Sequence, residues 1–161
     1  YVKADSAIKE LKQPKDIEGL KIITDAGTNQ EKVLLEWDRQ NVAAGLKPIE
    51  VQYYDDDAVK DLAIQSGRAD AVFSVNATQA YSAGINGKTK LVGTVSGGWP
   101  ITAEIAVTTR KGSGLAAPLT NVLNDLIASG AYTKVLDTWN LGPEAITEAK
   151  TNPQGLPKSG S

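Results

Sequence analysis

The sequence predicts an α/β fold with a largely parallel sheet, on three observations. Short apolar runs that read as strands alternate along the chain with segments whose apolar residues recur at helical spacing. The run Lys21 to Thr24 is broken at Gly27 and followed by a helical stripe of Val33, Leu34 and Trp37. Polar residues mark the ends of two strand-like runs, at Asp25 to Asn29 and at Ser74 to Asn76. Open α/β sheets carry their ligands at such carboxyl ends.

The elements follow in order. Val2 and Lys3 read as the end of a strand, and Ser6 as the cap of a short amphipathic segment through Ile8 and Leu11 that Pro14 stops. Lys21 to Thr24 is a strand and Asn29 to about Asn41 a helix. Gly45 and Pro48 punctuate, and Ile49 to Tyr54 alternates as a strand. Asp55, Asp56 and Asp57 form an acidic cap and first turn for a helix carrying Ala58, Val59, Leu62 and Ala63. Consecutive side chains there point apart, which argues against a cation site. Gly67 ends that helix. Ala69 to Ser74 is a buried strand, Ala77, Ala80 and Tyr81 mark a short helix closed by Gly84 and Gly87, and Leu91 to Val95 is a strand. A loop from Ser96 to Pro100 leads to a further alternating strand, Glu104 to Thr109. Two helical stripes follow, one of Leu115, Leu119, Val122, Leu123, Leu126 and Ile127, the other of Tyr132, Val135, Leu136 and Trp139. Beyond Gly142 the chain is polar, with Pro143, Pro153 and Pro157.

Composition narrows the function. Hydrophobic residues make up 41% of the 161 residues and charged residues 22%, an ordinary globular balance. A net charge of −2 with no basic tract is a poor match to nucleic acid. No apolar run reaches the ~20 residues of a membrane helix. The sequence has no His and no Cys, which removes His-assisted nucleophiles, zinc sites built on imidazole or thiolate, and thiol redox chemistry. No catalytic residue, metal site or cofactor is expected. The chain opens Tyr-Val-Lys and contains no Met, so it is expected to be a mature or cut piece of something longer.

The chemistry concentrates at Asp25, Gly27, Thr28 and Asn29. A helix that starts there leaves its first N–H groups unpaired, and with the helix dipole these suit a carboxylate. Gly27 lets the backbone approach closely. Thr28 reads equally as a helix cap. Asp25 reads either as a partner for a guest amine or guanidinium or as a solvated acid at a strand end. Trp37 and Trp139 fall on apolar helical faces and are expected in the core.

The order of segments resembles the family-3 extracellular solute-binding proteins, the amino-acid-type receptors of ABC importers. "LKQPKDIEGLKIITDAGTNQEKVL" resembles the family's "DLKGKKVGVQ-G-T" turn, and "YYDDDAVKDLAIQSGRADAVF" its "YDS…ALQALASGRVDAVV" segment. "EIAVTTRKGSGLAAPLTNVLNDLIASGAYTKVLDTWNL" resembles the closing "IAVRKGN…L…ALNKALAELIADGTYQKILDKWGL". The likeness runs over roughly residues 1–142.

The resemblance implies the three-layer α/β/α lobe of a type II periplasmic binding protein. Residues 1–103 would form the second, ligand-binding lobe with the first hinge crossing. Residues 104–142 would be a return strand and C-terminal helices of an incomplete first lobe, and 143–161 a polar tail. About the first two-fifths of such a receptor would be absent, with its aromatic platform and its carboxylate-clamping Arg, so that half the cleft is present. The two C-terminal stripes would then lack their sheet unless a missing N-terminal lobe or a second chain supplies it.

The resemblance also implies site roles. Thr28 matches the position whose N–H and hydroxyl receive a ligand α-carboxylate, with Asn29 adding an N–H. "DAVFSVNA" stands where relatives have "DAVVTDA", so Val75 replaces the acid that pairs the α-amino group, and Ser74 and Asn76 offer neutral acceptors. Asp70 is read as structural, and Trp99, just before the return crossing, either packs on the ligand or plugs the hinge. The implied partners are a small amino acid or related carboxylate and membrane permease subunits, in a periplasmic or extracellular setting that includes lipid-anchored forms. Two rival readings are an extracellular sensor domain and a cyclohexadienyl dehydratase-like enzyme with Asp25 as acid or base. The second lacks a visible partner group.

Overall fold

In the computed structural model, which describes residues 1–157, the backbone falls into two compact units, Tyr1–Thr102 and Ala103 onward. The first unit is built on a five-stranded sheet. Its elements are β1 (Val2–Lys3), β2 (Lys21–Ile23), α1 (Asn29–Ala43), β3 (Glu50–Gln52), α2 (Asp57–Gln65), β4 (Ala71–Val72), α3 (Asn76–Asn86) and β5 (Thr89–Lys90).

The strand order is β3-β2-β4-β1-β5. β2 lies between β3 and β4 and is parallel to both, with Ile22 facing Val51 on one side and Ala71 on the other. β1 runs antiparallel to β4 and β5. Four strands therefore point one way, as the alternation of strands and helices requires.

Period-two alternation in β2 creates the layers. Ile22 is buried with Val33, Leu34 and Trp37 of α1, whereas Ile23 is buried on the opposite face with Ala63 and Ile64 of α2. Fully burying each isoleucine contributes about 1.5–3 kcal/mol, so β2 is the strand that ties both helical layers to the sheet. Both helices have local reasons to start where they do. Thr28 caps α1, and Asp56 Oδ1 accepts from Ala58 N at 2.8 Å and Val59 N at 3.1 Å to cap α2. Asp70 is structural, because its carboxylate accepts from Lys21 N at 2.8 Å and fixes the start of β2.

Several expected elements differ. The amphipathic reading of Ser6 to Leu11 yields no helix. Ser6 Oγ accepts from Ile8 N in a local turn, and Leu11 N donates to Val92 O at 2.9 Å, so the segment is held from outside itself. Pro14 starts a short 3₁₀ turn, Pro14–Ile17, instead of stopping a helix, since its missing N–H is harmless in a first turn. Leu91 to Val95 is no strand. The ladder to β1 is made two residues earlier, by Thr89 and Lys90, and the segment then turns to receive Leu11. Gly84 lies inside α3, and Gly87 alone ends it, at φ +62°.

The second unit contains α4 (Ala116–Ala128) and α5 (Ala131–Thr138), and no strand among its described residues. The alternation at Glu104 to Thr109 does not become a strand, because a strand needs a neighbour and the unit offers none. Ile105 is 88% exposed and Val107 62% exposed. No residue of α4 or α5 is buried. Trp139, expected in the core, is half exposed for the same reason. The polar segment after Gly142 is tied to α4: Asn124 Nδ2 donates to Ala149 O and Ala149 N donates back to Asn124 Oδ1. The remaining tail residues, 158–161, lie outside the described residues.

Candidate functional site

The β2–α1 turn is built almost wholly from local hydrogen bonds. Gly27 sits at φ +74°, which a side chain would strain, and reverses the chain into Thr28. Thr28 Oγ1 accepts from Glu31 N at 3.1 Å and donates to Asp25 O at 2.6 Å. Glu31 reaches back so that Gly27 N donates to its Oε2 at 2.7 Å, and Tyr53 donates to its Oε1 at 2.6 Å. These two donors, the tyrosine first, hold the Glu31 carboxyl below its ordinary range. The Thr28–Glu31 pairing is a variant of the capping box. The N–H groups of Asn29 and Gln30, the first two of α1, have no acceptor among the described residues. Gly27 and Asn29 are exposed and Thr28 is half-buried, so this helix start is open.

The structure brings Asp25 and Ser74 together across the adjacent ends of β2 and β4. Ser74 Oγ donates to Asp25 Oδ2 at 3.1 Å, and Lys60 of α2 donates to Asp25 Oδ1 at 2.7 Å. Lys60 also meets Asp57 at 3.2 Å. The Lys60 hydrogen bond, against a smaller desolvation and with help from Ser74, holds the Asp25 carboxyl below its usual range. Asp25 in turn raises the Lys60 ammonium.

Next to this pair an open pocket of about 310 Å³ is lined by Thr24, Asp25, Ala26, Tyr53, Tyr54, Asp55 and Lys60. Its lining is mixed. Tyr54 donates its hydroxyl to Gln52 Oε1 at 3.1 Å, and Thr24 Oγ1 is buried with no partner among the described residues.

The other sequence-expected residues are engaged elsewhere. Asn76 begins α3 and its Oδ1 accepts from the Tyr1 hydroxyl at 2.6 Å. Trp99 packs edge-on against Trp37, ring centres 5.8 Å apart, on the core side of its loop. That loop still borders the site, because a side chain at Gly97 would come within 3.7 Å of Gln30 Nε2. Lys60, Glu31 and Tyr53 were missed as site residues. The Thr-x-x-Glu spacing carried the signal for Glu31. Nothing local points to Lys60, since its partner Asp25 is 35 positions away. Among the described residues, no group of three or more metal-ligating side chains gathers, and no helix is long and apolar enough to cross a membrane.

Comparison with known proteins gives one result. No family model matches the chain, and no curated protein matches it. Solved structures do. A probable amino-acid ABC transporter extracellular-binding protein of Bacillus subtilis is 23% identical with a TM-score of 0.69, over 89% of this chain and 59% of that one. Substrate-binding domain 2 of Lactococcus lactis GlnP is 18% identical with a TM-score of 0.59, over 86% and 55%. An ancestral arginine-binding protein bound to glutamine is 26% identical with a TM-score of 0.52, over 87% and 57%. The chain thus shares the α/β fold of amino-acid ABC transporter substrate-binding proteins and spans somewhat over half the length of these neighbours.

Proposed function

We propose that this chain is the ligand-binding part of an importer's substrate-binding component, taking a polar amino acid or related small carboxylate. The observation that carries it is the open start of α1. The N–H groups of Asn29 and Gln30, without an acceptor among the described residues, lie next to a mixed polar pocket, in a fold shared with amino-acid-binding proteins. Each hydrogen bond to a charged acceptor contributes about 1.5–3 kcal/mol, enough for two or three to orient a carboxylate.

Residues Asp25, Gly27, Thr28, Asn29, Ser74 and Asn76 surround this start or the neighbouring end of β4. The first three shape the turn, and Asn29 supplies an N–H. Ser74 holds Asp25, whereas Asn76 is bound to Tyr1 and Trp99 is packed on Trp37. Closure of a second lobe over the guest would follow, with membrane permease subunits reading the closed form outside the cell or in the periplasm. The role is one of binding, and the neighbours are binding proteins.

The half-cleft reading is supported by the share of the neighbours' length covered and by the unburied faces of α4 and α5. It is tested by calorimetry with a panel of amino acids on this chain and on a complete two-lobed receptor containing it. The expected result is micromolar binding by the complete receptor and weak or no binding by the chain alone. Equal affinity in both would overturn the half-cleft reading, and no binding in either would overturn the receptor reading.

A further inference from the structure

Lys60 enters the binding region from α2, an element that the carboxylate grip does not use. Its side chain is only 16% exposed, and it spends two N–H groups on Asp25 and Asp57 at 2.7 and 3.2 Å. Asp25 is thereby engaged on both oxygens, by Lys60 on Oδ1 and by Ser74 on Oδ2, and its charge is offset by the Lys60 ammonium. The acid that most directly suggested a cationic guest is already serving an internal cation.

The rest of the pocket agrees. The Tyr53 and Tyr54 hydroxyl protons are given to Glu31 and Gln52, so those oxygens face new partners as acceptors. Lys60 keeps one N–H to donate. Thr24, whose hydroxyl is buried without a partner among the described residues, lines the same space. A guest group that both donates and accepts, without net charge, fits this set. A carboxylate would face Asp25 and Asp55, and an ammonium or guanidinium would meet Lys60 beside Asp25, with the exposed Asp55 as its remaining acid, a pairing worth little in water.

Resting on the receptor reading above, we infer that the pocket between the β2 and β3 ends takes the far end of the guest. Lys60 makes that pocket select a neutral carboxamide or hydroxyl over a cation, and it does so by occupying Asp25. It is a specificity-determining residue acting through Asp25, and the α-carboxylate grip at α1 is independent of it.

The test is calorimetry of the complete two-lobed receptor with glutamine, arginine and glutamate, comparing wild type with Lys60→Met, Lys60→Arg and the double variant Lys60→Met/Asp25→Asn. Wild type should prefer glutamine over arginine by tenfold or more. Lys60→Met frees the carboxylate and should move the ratio at least tenfold toward arginine. Lys60→Arg should keep the wild-type order, and the double variant should lose the gain. An unchanged glutamine-to-arginine ratio in a folded Lys60→Met protein overturns the role of Lys60 while leaving the receptor reading intact. A wild-type preference for arginine or glutamate overturns it as well. If wild type binds none of the three but binds another amino acid of the panel, the role of Lys60 alone is overturned, and absence of binding to the whole panel overturns both.

Discussion

Replacing Thr28 by alanine separates the two jobs of the β2–α1 turn. The hydroxyl makes two bonds, accepting from Glu31 N at 3.1 Å and donating to Asp25 O at 2.6 Å. Losing an N-cap side chain costs typically ~1 kcal/mol. The second bond, to a main-chain carbonyl, adds only a few tenths net, because Asp25 is half-buried and water can replace the donor. The expected loss is therefore about 1–1.5 kcal/mol, roughly a tenfold change in the folding equilibrium. Thr28→Ser keeps both bonds and should fall within about 0.5 kcal/mol of wild type.

Two measurements read this out. Urea unfolding gives the stability change, and hydrogen exchange at the Glu31 amide reports the cap directly, since Thr28 Oγ1 is its partner. Binding is a separate axis. The hydroxyl is committed to the turn, so a guest is held by main-chain N–H groups. Thr28→Ala should then weaken amino-acid binding by less than about tenfold, through a looser turn. An alanine variant with unchanged stability and unchanged Glu31 exchange would refute the cap. A hundredfold loss of affinity at unchanged stability would show that the hydroxyl touches the guest and refute the main-chain account.

Three further outcomes are expected. Gly93→Ala should destabilise by about 1–3 kcal/mol in a thermal melt, because its new Cβ would lie 2.0 Å from the Leu11 carbonyl oxygen, a backbone atom that cannot swing aside. Trp37→Ala should cost about 3–5 kcal/mol and Trp139→Ala under about 1 kcal/mol by urea unfolding, as the first ring is 4% exposed and the second 49%. For the chain with a free Tyr1 amine, burial lowers that ammonium from 8.0 to about 6. The unfolded chain binds this proton first as pH falls, so stability is full above pH 8 and declines toward pH 6, by on the order of 2–3 kcal/mol. The sequence has no His to obscure that window, and acetylating Tyr1 should flatten the profile.

The parts legible in the sequence are those whose cause is local. Gly27 with a capping residue after it, the acids before Ala58 and the stripe of Val33, Leu34 and Trp37 each carry their own reason, and each forms where expected. What was illegible depends on a partner far along the chain. Glu104 to Thr109 alternates as well as Ile49 to Tyr54, yet β3 has β2 beside it and the later segment pairs with no strand among the described residues. The same holds for Trp139 against Trp37: both lie on apolar helical faces, but a face becomes core only when something covers it. Asp25 is the sharpest case in the site. Its residue type suggested a receptor for an amine, and only the fold shows that Lys60 is already there.

This division sets which features of the site can drift and which cannot. The grip at α1 is made of backbone N–H groups, fixed by where a helix starts, and any sequence that keeps Gly27 and a capping residue keeps it. The pocket beyond it is made of side chains just past β2 and β3 and from α2, and among them the Tyr53 side chain bonds to the turn, through Glu31. On the proposed reading, affinity for a carboxylate belongs to the first and the choice among guests to the second. A stability screen of pocket substitutions should therefore show small losses with large changes in guest preference. Substitutions at Gly27 and Thr28 should show the reverse, because the backbone turn is the scaffold on which the rest is mounted.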